Sequence, residues 1–218
     1  MQGFFLSLEG IDGAGKSSHL EWAAEHLRAQ GVRVVTTREP GGTPLGERVR
    51  DLLLGQSMAA DTECLLVFAA RAEHLSAVIR PALARGEWVI SDRFTDATYA
   101  YQCGGRGVPA ARIGELENWT QQGLNPNRTW LFDVPVELAQ ERRAQRGNGN
   151  PLDRFEAEAQ DFHQRVRAQY RARVQNDPKR FLIVDSSQSL EQVRERLRAD
   201  LEHLLDDLPG NAKSNQTA

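Results

Sequence analysis

The chain has 218 residues, 40% hydrophobic and 26% charged, enough for one compact domain of ordinary size. A formal net charge of −3 argues against a general nucleic-acid-binding surface, and no apolar run approaches the ~20 residues of a membrane span. Two cysteines, Cys64 and Cys103, lack CxxC or Cys/His metal spacing, which excludes a disulfide framework and fits a reduced, cytoplasmic setting.

Met1-Gln2-Gly3 leads straight into the apolar run Phe4–Leu8, read as a buried strand with no room for a signal peptide. Gly10-Ile11-Asp12-Gly13-Ala14-Gly15-Lys16-Ser17 follows and fits G-x-x-x-x-G-K-[ST], the phosphate-binding P-loop. Its glycines let backbone N–H groups turn round a phosphate with no Cβ in the way. Lys16 is placed to reach the β- and γ-phosphates, and the Ser17 hydroxyl to ligate Mg²⁺. From Ser17 to Gln30, apolar residues at Leu20, Ala23, Ala24 and Leu27 mark a helix. The loop, with Ser18 just beyond it, thus opens a helix whose dipole favours an anion, and a nucleoside triphosphate is the expected ligand.

Val32–Thr36 reads as a second strand after the helix-ending Gly31. Thr43 and Pro44 open a helix as N-cap and first residue, and it ends near Gly55. Asp61–Arg85 is helical, with Pro81 kinking or restarting it. Trp88–Ser91 is a third strand, followed by helical stretches at Ala97–Gln102 and Pro109–Gln122. Thr129–Asp133 is a fourth strand, and Pro135–Arg146 a helix broken by Gly147-Asn148-Gly149-Asn150-Pro151. Helix resumes from Arg154 to Gln175, Phe181–Val184 is the fifth strand, and Leu190–Leu208 closes the chain before a polar, frayed tail at 209–218. Apolar strands alternating with amphipathic helices predict an α/β fold, a five-stranded parallel sheet with helices on both faces, forming one domain over 1–208. Ligands then sit outside the carboxyl ends of the strands.

Polar residues gather at that edge. Asp92 ends an apolar strand where P-loop enzymes hold a magnesium-associated acid; capping or pairing with an arginine is the alternative. Arg38 and Arg93 suit a second phosphate, which guanidinium binds bidentately, unless they pair with Glu39 or Asp92. Asp133 reads as a cap for the next helix. The glycine break reads as a lid over about 142–154, or else as a plain surface loop. Arg142, Arg143, Arg146 and Arg154 flank it, with Arg142 a platform near adenine and Arg146 or Arg154 stabilising transition-state charge. The five histidines fall on helices away from these loops, and no nucleophile stands out. A phosphate acceptor needs no general base, because it is already anionic.

The P-loop with Glu9, the block Thr37-Arg38-Glu39-Pro40-Gly41-Gly42-Thr43, Phe68-Ala69-Ala70-Arg71, Asp92-Arg93-Phe94, Ala100–Gly107 and Leu152-Asp153-Arg154-Phe155-Glu156 stand in an order that resembles the thymidylate kinases, bacterial type with lid arginines. The resemblance covers residues 3 to about 205. It implies a nucleoside monophosphate kinase-like fold, phosphoryl transfer from MgATP to dTMP in dTTP biosynthesis, and a cytoplasmic homodimer. It also implies that Asp12 holds the 3′-hydroxyl of dTMP, Arg38 and Arg93 bind its phosphate, and Arg71 hydrogen-bonds thymine. Phe68 would stack on the base, Thr98 would sit at its edge, and Tyr101 would fill the space of a 2′-hydroxyl. The family's stacking Phe lies four residues before the Arg, where this chain has Val67, so Phe68 and Val67 both stand as candidates. Cys103 replaces a usual Gly, as a reactive thiol or a small buried residue. A kinase for another small acceptor is the rival reading. A GTP-binding switch would need Asn-Lys-x-Asp, and no Asn-Lys pair occurs.

Overall fold

The computed structural model describes residues 3–146 and 153–207; the expected tail and residues 147–152 of the expected lid lie outside them. Strands β1 (Phe4–Glu9), β2 (Val34–Arg38), β3 (Trp88–Asp92), β4 (Arg128–Asp133) and β5 (Phe181–Asp185) form one parallel sheet in the order β2-β3-β1-β4-β5. Parallel neighbours need crossover connections, and helices supply them: α1 (Ser17–Ala29), α2 (Pro44–Gly55), α3 (Ala60–His74), α4 (Arg80–Ala84), α5 (Thr95–Thr98), α6 (Ala110–Gln121), α7 (Val136–Arg146), α8 (Gln160–Asn176) and α9 (Leu190–Asp206). The chain leaves central β1 toward β3 and β2, then returns to β4 on the other side. The P-loop therefore emerges at the point where strand order reverses, the place for a ligand in such sheets.

Alternation along β1 makes two cores. Leu6 and Leu8 pack with Ala23, Ala24 and Leu27 of α1 and Leu197 and Leu201 of α9. Phe5 packs instead with Leu75, Ile79, Ala82, Val89 and Phe94. Among the described residues no helix is long and apolar enough to cross a membrane.

Several boundaries differ from the sequence reading for local reasons. β2 begins at Val34 and extends to Arg38, because its pairing with β3 sets Arg38 opposite Asp92. The long helix around Pro81 widens to a π-type segment at Leu75–Ile79 before α4, upstream of the proline that offers no N–H. Helix resumes at Gln160 rather than Arg154, because Asp153 Oδ1 accepts from the N–H groups of Phe155 (2.8 Å) and Glu156 (2.9 Å) and folds a tight turn. Asp133 does not serve as the expected cap. Its carboxylate accepts from Arg167 (2.6 and 3.0 Å) and Arg171 (2.5 Å) of α8, and these charges overcome its burial and hold its pKa below the usual value.

Asp96 ties α5 to α8 and to the entry of β5. It is buried and accepts from Arg173 Nε (2.8 Å) and from Arg180 Nη1 (2.7 Å) and Nη2 (3.1 Å). Removing this carboxylate would leave the Arg173 guanidinium without its anionic partner and Arg180 with only Asp177 (3.1 Å) as a counter-charge among the described residues. Asp96→Ala is expected to lower unfolding stability by about 3–5 kcal/mol, measured by urea titration; a change near zero would show the cluster to be solvated.

Candidate active site

Gly10, Gly13 and Gly15 have φ of 138°, 88° and 89°, values L side chains rarely adopt. A Cβ on Gly10 would lie 2.5 Å from the Phe132 carbonyl oxygen of β4, and one on Gly13 would run into the Ala139 carbonyl of α7. The loop is thus pressed against its neighbours, with Ile11 and Ala14 buried and the Ala14 carbonyl accepting from Ser186 Oγ. Lys16 is buried, and its Nζ donates to the carbonyls of Gly10 (2.9 Å) and Ile11 (3.1 Å). Burial, then the nearby Arg93 charge, push its pKa down to about 8.

Lys16 and Ser17 line a polar cleft with Asp12, Arg38, Arg50, Asp92, Arg93 and Glu156. Arg93 is fixed most firmly. Its φ is 72°, its N–H donates to the Leu8 carbonyl (2.9 Å), and the next N–H, of Phe94, donates to Glu9 (2.7 Å). Its guanidinium donates to the Gly10 carbonyl (2.7 Å), Asp12 Oδ1 (2.5 Å) and Tyr170 Oη (3.2 Å), and lies 4.9 Å over the Tyr101 ring. Burial would raise the Asp12 pKa, but Arg93 and Lys16 override it and keep the carboxylate ionised. Tyr101 Oη donates to the other Asp12 oxygen (2.9 Å). Burial, then repulsion from Asp96, push buried Glu9 up to about 8, although Tyr170 Oη donates to it (2.9 Å).

Arg38 pairs with neither Glu39 nor Asp92. It meets Glu47 (2.7 Å), half-exposed, at the rim of the cleft. Arg50, which sequence reasoning missed, lines the cleft with one bond to the Pro40 carbonyl (3.1 Å). Burial and the charges of Arg38 and Arg93 depress its pKa, outweighing the carboxylates of Glu47 and Asp92. A signal was present: Arg50 shares a helical stripe with buried Gly46 and Leu53, where a solvated arginine has no place. Asp92 reaches the cleft with its Oδ1 buried and without a partner, an oxygen that suits a hard cation shared with Ser17 and nucleotide phosphates. Among the described residues no cluster of three or more Asp, Glu, His or Cys side chains forms a metal cage.

Beside the cleft lies a cavity walled by Pro40, Leu53, Leu54, Val67, Ala97 and Phe155, with Arg71, Thr98 and Tyr101 in its lining. Arg71 is almost wholly buried. Its Nε donates to Glu39 Oε2 (2.8 Å) and its Nη2 to Thr98 Oγ1 (2.9 Å), while Nη1 has no partner. His74 backs this pair, with Nδ1 2.9 Å from Glu39 Oε1 and Nε2 2.6 Å from Thr37 Oγ1, so this histidine is not remote from the site as the sequence suggested. Phe68 does not line the cavity; it packs with Cys64, Tyr99, Val108 and Ile113, with its ring 4.9 Å from the Arg71 guanidinium carbon, and Val67 takes the cavity wall. Cys103 packs at the margin of that cluster, and burial pushes the Cys64 thiol up to about 11, so neither thiol joins the site.

On the other side of the P-loop, Gly13, Gly15 and Ser18 line a cavity with His19, Arg142, Ser186 and Val193. Arg142 Nη1 donates to the Ser186 carbonyl (2.7 Å). Arg146 ends α7, and its side chain lies outside the described residues. Arg154 points away from the P-loop cleft and pairs with Glu63 (2.6 Å). The geometry therefore places a polar cleft at the P-loop, with a further cavity on either side of it.

A family model described as thymidylate kinase matches residues 8–197. The thymidylate kinase of Bordetella petrii is 58% identical over 203 residues, covering 93% of this chain and 97% of that protein. That of Cupriavidus metallidurans is 57% identical over 194 residues, covering 89% and 95%. The crystal structure of thymidylate kinase from Ehrlichia chaffeensis superposes with a TM-score of 0.75 at 31% identity, over 92% of this chain and 99% of that one. In sequence and in fold alike, this chain belongs to the thymidylate kinase family.

Proposed function

We infer that the chain transfers the γ-phosphoryl group of ATP, bound with Mg²⁺, to dTMP, giving dTDP and ADP. The observation that carries the acceptor is Arg71: a buried guanidinium with one unpartnered nitrogen, in an apolar-walled cavity that opens beside a cleft of arginines. A free N–H donor favours the C4 carbonyl of thymine over the C4 amino group of cytosine. In this reading Thr98 sits at the base edge, Val67 rather than Phe68 lies against the ring, and Tyr101 crowds the position of a 2′-hydroxyl. Asp12 takes the 3′-hydroxyl, and Arg38, Arg50 and Arg93 hold the acceptor phosphate. The P-loop amides from Gly10 to Ser18 and Lys16 cradle the donor phosphates, and Arg142 borders adenine.

No base is needed, because the attacking phosphate oxygen is already ionised; alignment and charge neutralisation lower the barrier. Ser17 and Asp92 would hold the magnesium ion, which when bound neutralises charge on the β- and γ-phosphates. With Arg154 engaged elsewhere, Arg146 is the flanking arginine we assign to the transferred phosphoryl group. We also assign a cytoplasmic homodimer. Trp119 of α6 and Leu65 of α3 are 76% and 56% exposed on helices that touch each other, an apolar face that a second copy would cover.

Three outcomes test this account. In an acceptor panel with ATP and Mg²⁺, scored by ADP release, dTMP is expected to lead and its ribonucleotide counterpart to run ~10²-fold slower; faster turnover of a purine monophosphate would overturn the assignment. Arg50→Ala is expected to raise KM for dTMP by about 10–100-fold with KM for ATP unmoved, as for loss of a charge-assisted bond. Finally, Lys16 loses its proton as pH rises through about 8 in the free enzyme, so kcat/KM for ATP should fall above that pH. Lys16→Arg, always charged, should retain reduced activity with no fall between pH 8 and 10; an unchanged fall would assign it to another group.

A further inference from the structure

Taking dTMP as the acceptor, we propose that the turn Asp153–Glu156 supplies the aromatic wall of the base pocket through Phe155, and that Arg154 and buried Glu63 are positioning residues that hold it there. Most of the proposal rests on how completely Arg154 is engaged. Its backbone N–H donates to the Leu54 carbonyl (3.3 Å) and its Nε to the Leu53 carbonyl (2.9 Å). Both carbonyls belong to the last turn of α2, where helix geometry leaves them without partners and the dipole favours a cation. The remaining fork, Nη2, donates to Glu63 Oε2 (2.6 Å).

Glu63 has no exposed surface, and it also accepts from Gln102 Nε2 (2.8 Å) and Arg106 Nε (3.2 Å). Withdrawing Arg154 toward a triphosphate would leave that buried carboxylate short of a charge partner and reopen two helix-end carbonyls. An arginine so placed fixes a backbone; it is not a group free to swing onto a transferred phosphoryl.

What it fixes is the next residue. The Phe155 ring lies under Arg154 (4.6 Å to the guanidinium carbon) and Arg106 (5.4 Å), and meets Tyr101 edge-on at 5.7 Å and 87°. It lines the base cavity together with Val67 and Leu53. Val67 has no π-face, so the aromatic lining of this cavity comes from Phe155 together with Phe94 and Tyr101, and of these Phe155 is the one on the turn that Arg154 holds. Glu156, one residue on, reaches the phosphate cleft, so a single turn presents one side chain to the base pocket and another to the anion site.

The test is steady-state kinetics with each substrate varied, on the wild type, Arg154→Ala, Glu63→Gln, the double variant and Phe155→Leu. Wild-type turnover of dTMP checks the acceptor assignment by itself; its loss would sink that reading whatever the variants do. Given turnover, Arg154→Ala and Glu63→Gln should each raise KM for dTMP about tenfold, with kcat and KM for ATP within about twofold. The double variant should be no worse than Arg154→Ala alone, since the two residues act as one unit. Phe155→Leu, close in volume, should keep its melting temperature and raise KM for dTMP about fivefold. It decides the matter even if the charge variants fail to fold. A fall in kcat of ~10²–10³ for Arg154→Ala with KM for dTMP unmoved would return Arg154 to the transition state. An unmoved KM in Phe155→Leu would remove the ring from the pocket.

Discussion

One guanidinium joins everything the site needs. Arg93 bonds the Gly10 carbonyl and Asp12 of the P-loop, touches Tyr170 of α8 and covers the ring of Tyr101. Its left-handed backbone is held open by bonds from its own N–H to β1 and from Phe94 to Glu9. The P-loop, α8 and the segment that carries Tyr101 are thereby referenced to a single planar group. Because the group is planar and always charged, it sets distance and orientation together, which a lysine could not do.

Around it charge is concentrated. Lys16, Arg38, Arg50 and Arg93 line one cleft together with the carboxylates of Asp12, Glu39, Asp92 and Glu156. Repulsion among the cations appears in the depressed pKa values of Lys16 and Arg50, with burial the larger cause at each. Asp12 relieves part of it and stays ionised. A phosphate among these cations would relieve the repulsion between them, which is already present in the free protein.

The architecture was legible because its signals are local. The P-loop spacing, the Thr43–Pro44 helix start and the apolar strands need no tertiary knowledge, and the order of the blocks named the family. The errors lie where a side chain's role depends on what packs across from it. Asp133 reads as a cap until α8 brings Arg167 and Arg171 to it. His74 reads as remote until β2 delivers Thr37 and Glu39 to both of its nitrogens. Phe68 and Val67 differ by one helical step, and only the packing of α3 against α6 decides that Phe68 turns into the apolar cluster. The pairing of Arg154 with Glu63, 91 residues earlier in the chain, is equally invisible to local pattern.

Helix α2 touches both halves of the acceptor site. Arg50 stands one turn before Leu53 and Leu54, whose carbonyls receive Arg154. A helical turn of this kind is stiff, rising about 5.4 Å with little compliance. The same short rod therefore carries a cation of the polar cleft and the two carbonyls that seat the turn bearing Phe155, so the spacing between charged end and greasy end is set by one helix.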